Sequence, residues 1–178
     1  MIMLLVATAA TAAAVGPQQH QQPQPRDPLQ RAGGVGGLVW PLPRLVQPDP
    51  SATDRLRISP TVAISTSLPP AALLARGIAR YQALLRSQAA AASTRSQAAA
   101  GGGTVLAVNL AVPPQGQLAS FPSLHTDYSY TLNITLPAAV TVRAATSFGA
   151  LYALETLAQL SRDGTVPALR IEDSPSYP

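Results

Sequence analysis

The chain has no cysteine and no lysine: all 12 of its basic residues are arginine. Without cysteine there are no disulfides and no thiolate nucleophile or metal ligand. A domain of this size folds without disulfides, so the lack of cysteine does not argue against export. Histidine is nearly absent too, with only His20 and His125 in 178 residues. No His-x-x-x-His zinc arrangement exists, and a Ser-His-Asp set would have to use His125 with no Gly-x-Ser-x-Gly elbow to present the serine. Aromatic residues make up 4% of the chain, too few for a base-stacking surface. The arginines are scattered from Arg26 to Arg170, with no cluster longer than Arg55-Leu56-Arg57. The net charge of +4 therefore does not point to nucleic acid. No dinucleotide or phosphate-loop glycine pattern occurs, since Gly101-Gly102-Gly103 lacks a lysine and a following helix.

Long apolar runs are scarce as well. The one at the start, MIMLLVATAATAAAVG, has no charged side chain and is shorter than the roughly 18 residues of a membrane-spanning helix. Ala12-Ala13-Ala14 offers the small residues that signal peptidase accepts, so residues 1–15 read as a secretory signal cut near Ala14, in preference to a retained anchor. Residues 16–37 are rich in Gln and Pro, then Gly, without apolar periodicity, and read as a disordered linker. A packed domain is expected over 38–173, with a low-complexity loop at 87–103 that begins as a helix tail.

Within that domain RLRIS (55–59) and TVAIST (61–66) read as two short strands around Pro60. The stretch after Pro70 places Leu73, Leu74, Gly77, Ile78, Tyr81, Leu84 and Leu85 on one helical face, opposite Arg76, Arg80 and Arg86. TVLAVNLAV (104–112), nearly all apolar, reads as a buried strand. Residues 113–128 read as a loop. YTLNITL (130–136) alternates, with Tyr130, Leu132, Ile134 and Leu136 on one side and Thr131, Asn133 and Thr135 on the other. VTVRAA is another strand. TSFGALYALETLAQLSRDG is a second helix, capped by Thr146 or Ser147 and stopped at Gly164, with a wide apolar arc from Ala150 to Leu160. ALRIED is a last strand. This order predicts an α+β fold, a mixed β-sheet with two main helices packed on it.

Two features carry candidate chemistry. Asn133-Ile134-Thr135 fits the N-glycan acceptor pattern and lies on the polar side of its strand. Glu172-Asp173 is an adjacent carboxylate pair, a candidate for hydrolase chemistry or a polar strand end. Neighbours on a strand point to opposite faces, so the pair could converge on a sugar as glycosidase carboxylates do only with a special bend, and the structural reading is favoured.

In order along the chain, VWPLP, DYSYTLNI, VTVRAATSFGALYALETLAQL and IEDSPSYP resemble the N-terminal, non-catalytic domain of eukaryotic β-N-acetylhexosaminidases, glycoside hydrolase family 20. The helix from Gly149 to Leu160 is the most specific piece, followed by Trp40 to Pro43. The resemblance implies a zincin-like domain that binds no zinc and needs no cofactor, placed between a signal peptide and a catalytic TIM barrel. Residues 174–178 would begin the connection to that barrel. The parent reaction would be hydrolysis of terminal, non-reducing N-acetylhexosamine from glycoconjugates, using carboxylates in the barrel and none here. Tyr128 stands where the family has Glu, and Ser176 where Arg is frequent. The implied partners are the chain's own barrel and a second copy of the full-length enzyme, with no nucleic acid and no membrane after signal cleavage. The implied location is extracellular or vacuolar/lysosomal. On this reading the chain is truncated before its barrel and inactive alone. The alternative is a short secreted protein that keeps the domain as a glycan-binding or protein-interaction module. Phe148 and Tyr152 lie among Glu155, Thr156 and Gln159, opposite the apolar arc of the second helix. Phe148, Tyr152, Glu155 and Gln159 are therefore the expected barrel-docking face.

Overall fold

The structure, a computed structural model, describes residues 39–50, 55–95 and 103–175. The expected signal peptide, the linker, the glycine-rich part of the low-complexity loop and Ser176 lie outside the described residues. The elements are β1 (Leu45–Pro48), β2 (Arg55–Thr66), α1 (Ala72–Arg95), β3 (Thr104–Ala111), β4 (Tyr130–Thr135), β5 (Ala139–Ala144), α2 (Ser147–Leu160), β6 (Thr165–Pro167) and β7 (Leu169–Asp173). The strands form one mixed sheet in the order β1-β7-β4-β5-β3-β2-β6. The β2/β3 and β3/β5 pairs are parallel; the β1/β7, β7/β4, β4/β5 and β2/β6 pairs are antiparallel. The α+β class expected from the order of elements is the one observed.

Alternation along the strands gives the sheet one apolar face. Leu56, Val62, Leu132, Ile134, Val142 and Ile171 are buried on it, and they meet Leu74, Tyr81 and Leu85 of α1 and Ala153, Leu154 and Leu157 of α2 in one hydrophobic core. The helices lie close together where Gly77 of α1 faces Leu151 of α2; a Cβ at residue 77 would run into the Leu151 side chain. Thr146 caps α2 by accepting from the Gly149 N–H at 3.2 Å, and Gly164 takes a positive φ of 67° after the helix has ended at Leu160. No described helix is long and apolar enough to cross a membrane.

Two sequence expectations are corrected and one strand is added. Residues 55–66 form one strand, because Pro60 sits exposed at a register shift between Ile58 and Ala63, where its missing N–H interrupts no ladder bond. β3 is buried on one face only: Val105, Val108 and Leu110 are in the core while Leu106 is 64% exposed, so its apolar composition does not reflect two covered faces. ALRIED forms the expected last strand as β7 from Leu169, and a short strand not expected from the sequence, β6, precedes Ala168 and pairs with β2.

Candidate functional site

Glu172 and Asp173, the adjacent carboxylates, project to opposite sides of β7. Glu172 is half-buried on the face away from the helices and forms an ion pair with Arg170, whose Nε also donates to it at 2.8 Å. Asp173 is buried and accepts backbone N–H bonds from Arg44 at 3.2 Å and Ser174 at 2.9 Å. Both border a groove of about 600 Å³ that Arg44, Tyr130, Thr131 and Arg143 also line. Tyr130 beside it is buried, and its hydroxyl shares a 2.7 Å hydrogen bond with Thr156. Burial pushes the Tyr130 phenol well above its ordinary range; the Thr156 bond opposes this shift and the Asp173 charge adds to it. The arrangement holds the end of β7 onto the segment before β1. Each carboxylate is already engaged, Glu172 by Arg170 and Asp173 by two backbone amides, so neither is left free to work on a sugar in the groove.

The face of the sheet away from the helices carries aligned polar side chains. Register places Gln47, Arg170, Asn133, Thr141, Asn109 and Ser65 in one row across six strands. The next row holds Glu172, Thr131 and Arg143. Neighbouring strands lie roughly 4.8 Å apart, so the first row is a polar line crossing most of the sheet.

The outer side of the helix layer differs in character. Tyr128 packs edge-on against Phe148 at 6.3 Å and Tyr152 at 5.5 Å between ring centres. Further along α2, the Gln159 carboxamide accepts from the Trp40 N–H at 2.7 Å and donates to the Trp40 carbonyl at 3.0 Å. Glu155 accepts from Gln159 at 3.1 Å and from the Tyr81 hydroxyl at 2.9 Å. Burial first, and then the bond to Glu155, raise the Tyr81 phenol to about 12. The backbone of Trp40 is thus fixed while its ring stays 81% exposed.

A sequence profile described as beta-acetyl hexosaminidase like matches residues 39–160, which takes in every element from β1 to α2. The chain belongs to the beta-acetyl hexosaminidase-like family. It is a glycoside hydrolase family 20 hexosaminidase-like N-terminal domain. Among solved structures, Flavobacterium johnsoniae chitobiase matches 79% of the chain at 20% identity and a TM-score of 0.55. A glycoside hydrolase family 20 beta-N-acetylglucosaminidase matches 76% at 25% identity and a TM-score of 0.47. The beta-N-acetylhexosaminidase of Bacteroides fragilis matches 76% at 17% identity, also with a TM-score of 0.47. The chain spans only 21%, 22% and 24% of the lengths of these three proteins. No curated protein sequence matches it.

In this hexosaminidase-like domain Phe148, Tyr152, Glu155 and Gln159 share the outer face of α2, all half-buried. Thr156, expected among them, instead turns inward to Tyr130 and is buried. Asn133 stands in the middle of the polar row, and His125 lies exposed in the long loop. The sequence reading missed Tyr128, whose ring supports both aromatics of the α2 face. The signal was present: Tyr128 shares the parity of Tyr130 and Leu132, and all three are buried. This Tyr, at the position where the family resemblance expects Glu, buries a hydroxyl with no partner among the described residues. Such a group costs about 1–3 kcal/mol, set against the ring contacts it brings.

Proposed function

We propose that this domain is the non-catalytic N-terminal module of a secreted β-N-acetylhexosaminidase that releases terminal, non-reducing N-acetylhexosamine from glycoconjugates. The catalytic carboxylates lie in a barrel domain, and the outer face of α2 docks against that barrel. The observation that carries the non-catalytic role is the use made of Glu172 and Asp173. One is paired with Arg170, the other holds two backbone amides, and they sit on opposite sides of a strand. Family membership supports the reaction class. The docking role is supported by the contrast between faces, since aromatic rings gather on α2 while the open sheet face is polar. A signal cut near Ala14 and delivery outside the cell or to a vacuole or lysosome complete the reading.

The test uses the purified 178-residue chain with a chromogenic N-acetylglucosaminide. No turnover is expected, and Glu172→Gln should change nothing. Turnover that copurifies with the chain and disappears in Glu172→Gln would place catalysis in this domain and overturn the reading.

A further inference from the structure

The polar row on the open sheet face has an interior that the protein leaves unused. At one end Ser65 donates to Asn109 at 3.0 Å, and at the other Arg170 is held by Glu172. Between them Asn133 and Thr141, with Thr131 and Arg143 in the next row and Thr135 further along β4, form no side-chain hydrogen bond to any described residue. Thr131, Asn133, Thr141, Arg143 and Arg170 line a hollow of about 270 Å³. The Asn133 carboxamide and the Thr135 hydroxyl, the two required groups of the acceptor pattern, project from the same side of β4 because Leu132 and Ile134 take the core side.

We propose that Asn133 carries an N-linked glycan and that its innermost sugars lie along this row, covering the sheet face that no helix covers. In the transfer, the Asn133 side-chain nitrogen forms a bond to C1 of an oligosaccharide carried on a lipid pyrophosphate. The C1–oxygen bond to the pyrophosphate breaks, and one amide proton leaves with the lipid product. Folding then keeps the modified nitrogen on the open face, so the sugar never competes with the core. The lining suits an acetamido sugar: Thr131 and Thr141 donate to or accept from hydroxyls, and the Arg143 guanidinium donates to the acetamido carbonyl. No aromatic or aliphatic side chain lines the hollow. The glycan is held by hydrogen bonding, without ring stacking.

The proposal shares only the secretory route with the hexosaminidase reading, and its readout does not depend on a barrel. The full chain is produced in a eukaryotic secretory host, and its mass is measured in the whole-cell pool and the medium, before and after an amide-cleaving glycosidase. A glycan-sized excess should vanish on treatment and should be missing from both Asn133→Gln and Thr135→Ala. Cleavage of the native chain should be about tenfold slower than of the denatured chain, the effect of one to two net hydrogen bonds. Thr141→Val with Arg143→Gln should bring the native rate up to the denatured one. An unmodified Asn133, in lumenal chain or in chain that never leaves the cytosol, overturns the site. Equal native and denatured rates in the unsubstituted chain overturn the bed. A chain that never leaves the cytosol also removes the secretory part of the hexosaminidase reading; the other results leave that reading as it stands.

Discussion

Gly149 sits in the first turn of α2, with Thr146 capping its N–H. A Cβ there would lie 2.6 Å from the Ser129 carbonyl oxygen and 3.1 Å from the carbonyl of Tyr128. Those are backbone atoms that cannot swing aside. Replacing Gly by Ala within a helix gains about 1 kcal/mol in propensity, but overpacking of this kind costs about 1–3 kcal/mol. Because the clash is with backbone, the cost wins. Gly149→Ala should lower stability by up to about 2 kcal/mol in urea denaturation, and an unchanged midpoint would show that helix and loop separate freely. The sequence singled out this glycine as part of its most specific motif. The reason for a glycine was not legible, because it lies in a segment 20 residues earlier that the helix happens to cross. The inward turn of Thr156 was hidden in the same way: a hydroxyl on a helical wheel reads as solvent-facing until its partner, Tyr130, is known.

Among the elements, β2 shows what local patterning misses. Pro60 reads as the end of a strand, yet the backbone carries on to Thr66. Two α1 side chains stabilise the stretch beyond the register shift: Gln82 accepts from the Ile64 N–H at 2.8 Å, and Arg86 donates to the Val62 carbonyl at 2.8 Å. These bonds span 18 and 24 residues, beyond any periodicity window. Both helices and the alternating strand β4 were legible, since a one-sided core imposes periods of 3.6 and 2 directly. The continuity of β2 and the exposed side of β3 were not, since they depend on which face of the sheet the helices leave open. Gln82→Ala should orphan the Ile64 N–H and cost about 1–3 kcal/mol. Gln82→Glu keeps an acceptor and should retain most of that stability. Equal losses in the two variants, by chemical denaturation, would mean that Gln82 acts through packing instead of this bond.

At the scale of the whole molecule the two outer surfaces differ, and the proposed docking rests on that difference. The open sheet face is polar, whereas the α2 side presents Phe148 and Tyr152 over Tyr128, with Trp40 beyond them. Phe148 and Gln159 are 11 residues apart, or about 16 Å along a helix, a span suited to the core of a docking patch. The rings play unequal parts in the fold itself. Trp40 is held through its backbone by Gln159, so removing its 81% exposed indole takes little from the isolated domain. Tyr152 lies against Tyr128 at 5.5 Å, so removing it uncovers a ring that is otherwise buried. Aromatic contacts of this kind contribute about 0.5–1.5 kcal/mol beyond their buried area. On the proposed docking, the 178-residue chain should associate with itself at high concentration in sedimentation experiments. Trp40→Ala should weaken that association with little change in the unfolding midpoint, while Phe148→Ser and Tyr152→Ser should lower the midpoint as well, since both rings cover Tyr128. A chain that stays monomeric throughout, or a Trp40→Ala variant that loses stability without any change in association, would mean that the exposed indole serves the fold and that the docking surface lies elsewhere.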